Sequence, residues 1–319
     1  MYVTGLALAP IDAAAPWTAC RSALGQAGQQ DPARTQYVVV GHGGTTSDVE
    51  GADDELATFC GELALTSLRE RGADPVLLNH ACASVLFGLE YGQALIRANR
   101  ADRVVVTGMI GPTGYDRAGM RVLRALSTGR ARPFAPDRDG TALGSGQYAV
   151  VCDGERTVED HVTAAFARIE SISCRVAAEP RAGLRPEAVY DRMVDALDRA
   201  GVRAPDRIEA HATGTVAGDA AEEEAISRLL ADRGIPADTV VVSASKATTG
   251  HLLHGAGAVS LIEACRHALA SNGTVLVNAF GFSGNYACAV VGPPTHGVRH
   301  DHALVPELIP HSAPVGGHA

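Results

Sequence analysis

Short β-branched runs such as Val38-Val39-Val40, Val104-Val105-Val106 and Val240-Val241-Val242 recur along the chain, separated by longer stretches in which apolar residues return at helical spacing. A short continuous β-branched run of that kind makes a buried strand and a 3.6-period stretch makes a helix, so their regular alternation demands a layered α/β fold. Hydrophobic residues make up 46% of the chain and charged residues 20%, enough apolar material for a substantial core. Aromatic residues are only 4%, so that core is built from Ala, Val and Leu.

Charge and cysteine usage narrow the function classes. With 27 Lys plus Arg against 36 Asp plus Glu the net charge is -9, which repels nucleic acid and anionic membrane surfaces. The longest apolar runs are strand-length, well short of a bilayer span. The start, Met1-Tyr2-Val3-Thr4, has no basic region leading into a long apolar run. These features predict a cytoplasmic protein with no nucleic-acid or membrane partner. The seven cysteines, at positions 20, 60, 82, 152, 174, 265 and 288, form no CxxC pair and are odd in number. That is the pattern of reduced thiols, one of them available as a nucleophile.

The chain also repeats itself. Val76-Leu77-Leu78 leads through Cys82 into a helix and on to Val104-Val105-Val106, while Val240-Val241-Val242 leads through Lys246 and His251 into a helix and on to Val275-Leu276-Val277. Cys82 lies 22 positions before Val104 and His251 lies 24 before Val275, which points to a duplicated βαβ unit. Other predicted strands span residues 1–8, 75–81, 148–152, 207–210 and 287–291; predicted helices span 56–71, 83–99, 118–127, 186–200, 219–233 and 255–271. Residues 293–319, rich in Pro, Gly and His without periodicity, read as a flexible tail. His300 and His302 lie there without the Cys or carboxylate partners that a metal site needs.

Four segments carry chemistry. They are His80-Ala81-Cys82-Ala83-Ser84; Glu209-Ala210-His211-Ala212-Thr213-Gly214-Thr215 with Gly218-Asp219 and Glu222; Lys246-Ala247-Thr248-Thr249-Gly250-His251; and Asn278-Ala279-Phe280-Gly281-Phe282-Ser283-Gly284. In this order they resemble the β-ketoacyl synthases of the thiolase superfamily, over nearly all of residues 1–292. The resemblance implies the thiolase fold, two duplicated βαβ halves in an α-β-α-β-α arrangement. The first half then covers residues 1–157 and carries the nucleophile; the second covers 158–292 and carries both histidines.

Cys82 sits between a predicted strand and a predicted helix, where free backbone N–H groups and the positive end of the helix dipole favour thiolate. Stabilising the enolate left by decarboxylation of a malonyl thioester needs two hydrogen-bond donors in a dry site, a task for neutral His211 and His251. By resemblance, Lys246 is buried beside the histidines and pairs with Glu222. Thr213 and Thr215 contact a pantetheine arm, and Phe280 joins them at the substrate. The N–H groups of Cys82 and Phe282 form an oxyanion hole, and Gly281 lets the closing loop approach. No cofactor is implied, since phosphopantetheine arrives on an acyl carrier protein. Gly140–Gly146 lacks the strand and acidic partner of a dinucleotide loop, and Gly41-His42-Gly43-Gly44 lacks the Lys-Ser/Thr of a phosphate loop.

The resemblance also breaks in places. The chain is shorter than the family's usual length, with the shortage between residues 10 and 35, 51 and 75, and 267 and 278. That leaves the pocket open, small, or completed by another chain. Thr141 stands where the family has a Phe of the decarboxylation pocket, and Ala212 and Ser283 each replace a Gly. The leading reading is acyl transfer from a carrier protein to Cys82 and condensation with a malonyl thioester, in fatty-acid or polyketide synthesis. Two alternatives stay open: a non-decarboxylating acyltransferase forming an ester or amide, and a partner subunit like a chain-length factor. A homodimer, or a heterodimer with a full-length synthase-like subunit, follows by resemblance through the strand at residues 75–79. Arg117, Arg121, Arg124 and Arg130 form a basic cluster in an acidic chain, suited to docking an acidic carrier.

Overall fold

The computed structural model describes residues 1–11, 17–28, 32–41, 68–161, 164–177, 183–295, 298–308 and 310. The first half runs β1 (Tyr2–Ala9), α1 (Thr18–Ala27), β2 (Thr35–Val40), β3 (Val76–Leu78), α2 (Ser84–Arg97), β4 (Arg103–Ile110), α3 (Gly114–Val122) and β5 (Gly146–Asp153). After α4 (Glu155–His161) and β6 (Ala164–Ala165), the second runs β7 (Ala167–Val176), α5 (Pro186–Ala200), β8 (Arg207–Glu209), α6 (Val216–Asp232), β9 (Val241–Ser243), α7 (Lys246–Thr249), α8 (Ala256–Ser271), β10 (Val275–Gly281) and β11 (Asn285–Gly292). β12 (Val298–Arg299) closes the series by pairing with β6.

Ten strands hydrogen-bond in the order β3-β2-β4-β5-β1-β7-β11-β10-β8-β9. Counted by order of occurrence, each half reads third-second-fourth-fifth-first from its outer edge. The pairing sense repeats as well. The first three strands of each half are mutually parallel, and the last two pair antiparallel. The predicted duplication is therefore present at the level of topology, with β3-α2-β4 and β9-α8-β10 as its equivalent units. The halves join by a short antiparallel contact, Tyr2 to Arg168 and Val3 to Ala167.

Strand side chains alternate between two faces, and both faces of each half-sheet are covered. Val104, Val106, Val275 and Val277 point to a central core with α2 and α8, whereas Val105 and Val151 face α1 and Leu276 and Val290 face α5 and α6. The order of layers is thus α1, half-sheet, α2 with α8, half-sheet, α5 with α6. Close packing of the middle layer needs small residues: a Cβ on Gly92 of α2 would lie 2.6 Å from Val104. A buried ion pair pins α1 to the sheet. Arg103 donates to Asp153 from Nε and Nη2, both at 2.7 Å, and to the Ala27 carbonyl at the end of α1.

Several predicted boundaries move. Helix 118–127 is instead Gly114–Val122, because Thr113 and Asp116 form a reciprocal cap at its start and Arg124, at φ 51°, cannot continue it. Only Val76–Leu78 of the predicted strand 75–81 is extended, and most of helix 56–71 lies outside the described residues. α1 and the central strand β7 carried no sequence signal that was read. The tail is not free up to Leu308: His300 stacks on Phe166 at 4.1 Å, Val305 is buried, and Arg266 donates to the Pro306 carbonyl. Its apolar side chains complete a core that the pattern of residues 293–319 did not reveal. Among the described residues, no helix is long and apolar enough to cross a membrane.

Candidate active site

Cys82 lies in a tight turn between β3 and α2. Ser84 organises that turn, accepting from the His80 N–H at 2.7 Å and donating to the Ala81 carbonyl at 2.6 Å. Ala81 has φ 48°, a left-handed conformation that costs an L-residue about 1–2 kcal/mol. The turn buries Cys82 to 6% exposure, and burial pushes its thiol up to about 11, with the Lys246 ammonium opposing. This corrects the expectation of a favoured thiolate. α2 begins only at Ser84, and loss of water outweighs what the helix end supplies.

The histidines come from the second half. β8 ends in Glu209, whose carboxylate accepts from the Ser245 N–H and the Ser243 hydroxyl, tying β8 to the loop before α7. Glu222, from α6, accepts from the N–H groups of His211 and Ala212 at 2.8 and 2.7 Å and from the Asn278 amide at 2.9 Å. The Phe280 N–H meets His211 Nδ1 at 3.3 Å, which leaves the proton of a neutral ring on Nε2. His251 is held by its N–H to the Ala142 carbonyl at 2.6 Å, just after Gly250 at φ 68°. It stands before the helix and does not open it, since α8 starts at Ala256. His251 Nε2 lies 3.1 Å from Cys82 Sγ, and the two imidazoles meet edge-on with centroids 5.7 Å apart. Burial and the nearby Lys246 charge hold both histidines well below the usual imidazole range, hence neutral.

Lys246 is buried as implied, but no ion pair joins it to Glu222. Its ammonium donates to the His211 carbonyl, because the Glu222 oxygens are already occupied by two backbone N–H groups and Asn278. Burial lowers the Lys246 pKa, and Glu222 and Glu209 oppose that shift at longer range.

Cys82, His211 and His251 open on one cavity of about 350 Å³, walled also by Thr141, Thr213, Thr215, Phe280, Gly281 and Phe282. Thr141 is fully buried, and the Thr213 and Thr215 hydroxyls lie 2.9 Å apart. Gly281 is pressed against the nucleophile turn, where an added Cβ would lie 2.8 Å from the His80 carbonyl oxygen and 3.0 Å from Cys82 N. Arg124 borders the cavity, Arg117 and Arg121 are exposed on α3, and Arg130 is exposed beyond it, none in an ion pair among the described residues. Exposed Val122 and Leu123 lie among them. No group of three or more potential metal ligands occurs among the described residues.

Sequence reasoning passed over Glu209 and Asn278, although both lie inside the quoted motifs; their role is to hold loops, which spacing does not express. It did single out Ala212 and Ser283 as replacements for Gly. Both have positive φ, 31° and 61°, which is the backbone reason for a Gly at each.

Residues 166–273 match the family model described as β-ketoacyl synthase, C-terminal domain. The tetracenomycin polyketide synthase ketoacyl synthase alpha subunit of Streptomyces glaucescens is 32% identical over 226 residues, covering 67% of this chain and 51% of the relative. A putative mitochondrial 3-oxoacyl-[acyl-carrier-protein] synthase of Schizosaccharomyces pombe is 34% identical over 206 residues, 58% of this chain and 47% of the relative. The chain thus spans about half the length of the curated relatives it matches. Among solved structures, one chain from that of a type II polyketide synthase acyl-carrier protein in complex with its ketosynthase bound to the hexaketide matches with TM-score 0.75. The identity is 17%, over 92% of this chain and 98% of that one. The ishigamide ketosynthase/chain length factor matches with TM-score 0.72 at 20% identity, over 86% and 80% of the two chains. These likenesses establish the thiolase fold of the ketosynthases.

Proposed function

We propose, from the premise that this chain belongs to the β-ketoacyl synthase family across the residues it shares with it, that Cys82 accepts an acyl group from an acyl carrier protein and passes it to a malonyl thioester. The observation that carries this reading is the 3.1 Å approach of His251 Nε2 to Cys82 Sγ at a cavity that His211 also enters. A thiol held up by burial needs a base at the moment of attack, and neutral His251 is within reach of its proton. Cys82 Sγ bonds to the thioester carbonyl carbon, the carrier's C–S bond breaks, and the proton from Cys82 passes by way of His251 to the departing thiolate. In condensation the malonyl carboxylate leaves as carbon dioxide. The resulting enolate carbon attacks the acyl carbonyl, the bond from Cys82 Sγ to that carbon breaks, and the departing thiolate takes a proton from water by way of His251. His211, with Nε2–H free, is the donor suited to the enolate oxygen.

Thr141 favours a second reading, acyl transfer without decarboxylation. An apolar wall destabilises a carboxylate about to leave, whereas a Thr hydroxyl supplies it with a polar contact. The basic and apolar surface of α3 fits an acidic carrier, and β3, the half-buried outermost strand of the sheet among the described residues, is the element that would pair with a second ketosynthase-like chain. Intact Cys82, His211 and His251 weigh against a purely structural partner subunit.

The test follows carrier-bound acyl groups by intact mass and carbon dioxide release from malonyl carrier. An adduct on the wild-type protein that vanishes in Cys82→Ala supports the nucleophile; an adduct that persists overturns it. Weak release that rises in Thr141→Phe supports condensation. Ready acylation with no release, even with a ketosynthase partner, replaces it with simple transfer.

A further inference from the structure

His80, two positions before Cys82, and Asn285, which follows the Phe282–Gly284 loop, are 205 positions apart in sequence and meet across the two halves of the molecule. His80 Nδ1 and Asn285 Oδ1 are 3.0 Å apart, and Asn285 Nδ2 donates to the Phe282 carbonyl at 2.7 Å. A carbonyl oxygen on Asn285 fixes the imidazole as donor at Nδ1, so the two bonds run head to tail from His80 through Asn285 to the hairpin loop between β10 and β11. Both ends are anchored. The His80 ring stacks on Phe87 of α2 with centroids 3.9 Å apart and planes 8° apart, and the His80 backbone N–H donates to the hydroxyl of Ser84, the residue that shapes the Cys82 turn. Asn285 is the first residue of β11, paired to Gly281, and is largely buried.

The loop held this way is poorly suited to holding itself. Its three residues, Phe282, Ser283 and Gly284, include two at positive φ, and one of these is a serine. Phe282 lines the cavity over Cys82 and is 36% exposed.

We propose that His80 and Asn285 form a latch between the nucleophile turn and the Phe282–Gly284 loop, acting as positioning residues that keep the loop closed over Cys82. This deepens the acyl-transfer reading and rests on it for the consequence to turnover, but not for the latch itself. With the latch made, the loop covers the thiol and presents Phe282 to the incoming thioester. With it broken, the loop opens, small reagents gain access to the thiol, and the thioester loses an ordered wall.

A double-mutant cycle of Asn285→Ala and His80→Phe tests this, since Phe keeps the stack on Phe87 but removes the donor. Two rates are read: Cys82 alkylation by iodoacetamide, and Cys82 acylation by carrier-bound thioester, with thermal unfolding confirming that each variant is folded. Each single variant is expected to raise alkylation and lower acylation, by roughly fivefold, and the double variant to match either single because one coupled unit has been broken. His80→Gln, which retains a side-chain N–H donor, is expected to recover part of both rates. Alkylation unchanged or slower in both singles, or effects that multiply in the double, overturns the latch. If wild-type protein takes no acyl group the acyl-transfer reading fails, while the alkylation cycle still decides whether the latch exists.

Discussion

The two halves share one topology yet hold their polar groups differently. Among its described residues the first half buries one ion pair, Arg103 with Asp153, which does not line the cavity and joins α1 to β4 and β5. The second buries Glu209, His211, Asp219, Glu222, Lys246, His251 and Asn278, most of them around the loops that carry the two histidines. At equivalent positions, before α2 and before α8, one half presents a thiol and the other an imidazole. A duplicated fold therefore brings two turns to one cavity, and specialising one half as polar lets the other stay a rigid apolar frame. The cost of burying charge falls where N–H donors meet it, as the two backbone N–H groups and the Asn278 side-chain amide around Glu222 illustrate.

The sharpest way to break this comparison is to remove a buried carboxylate from each half. Asp153→Asn leaves the Arg103 guanidinium buried without its counter-charge and should cost about 3–5 kcal/mol in urea unfolding. Glu222→Gln keeps shape and part of the hydrogen bonding and should cost about 1–3 kcal/mol. It should also slow carbon dioxide release, since Glu222 holds the His211 backbone. A Glu222→Gln protein that loses stability but keeps its rate would mean that the second-half network is as purely structural as the first.

Removing the imidazoles separates their roles. His211→Ala should lower carbon dioxide release about 10²–10³-fold with a smaller effect on acylation, because it removes a donor to the enolate and not the partner of the thiol. His251→Ala should slow both steps. Single-turnover acylation followed by intact mass makes the distinction, and equal slowing of acylation by the two variants would contradict it.

The smallest effect concerns backbone strain in the second half. Ala212→Gly and Ser283→Gly each relieve a positive φ worth about 1–2 kcal/mol, against a Gly entropy cost of about 0.5–1 kcal/mol. Each should therefore raise stability by roughly 0.5–1 kcal/mol in urea unfolding. Destabilisation by either would show that the side chain supplies packing greater than the strain.

The sequence by itself determined the alternation of strands and helices and the duplication, and it marked Cys82, His211 and His251 as candidates, which the fold brings to one cavity. Those signals are short-range: a β-branched run, a helical period, or a motif read within one loop carries its meaning in neighbouring residues. The start of α3 was open to the same reading, because its Thr113–Asp116 cap is local, but the apolar period alone misplaced it. Only the tertiary structure decided that the Cys82 thiol is pushed up, since burial depends on what the other half packs over it. It likewise decided that Lys246 bonds the His211 carbonyl, that the tail is tied to the body through His300, Val305 and Pro306, and that His80 reaches Asn285. Desolvation and contacts between distant segments are properties of the packed whole, and no window of the chain contains the partners that set them.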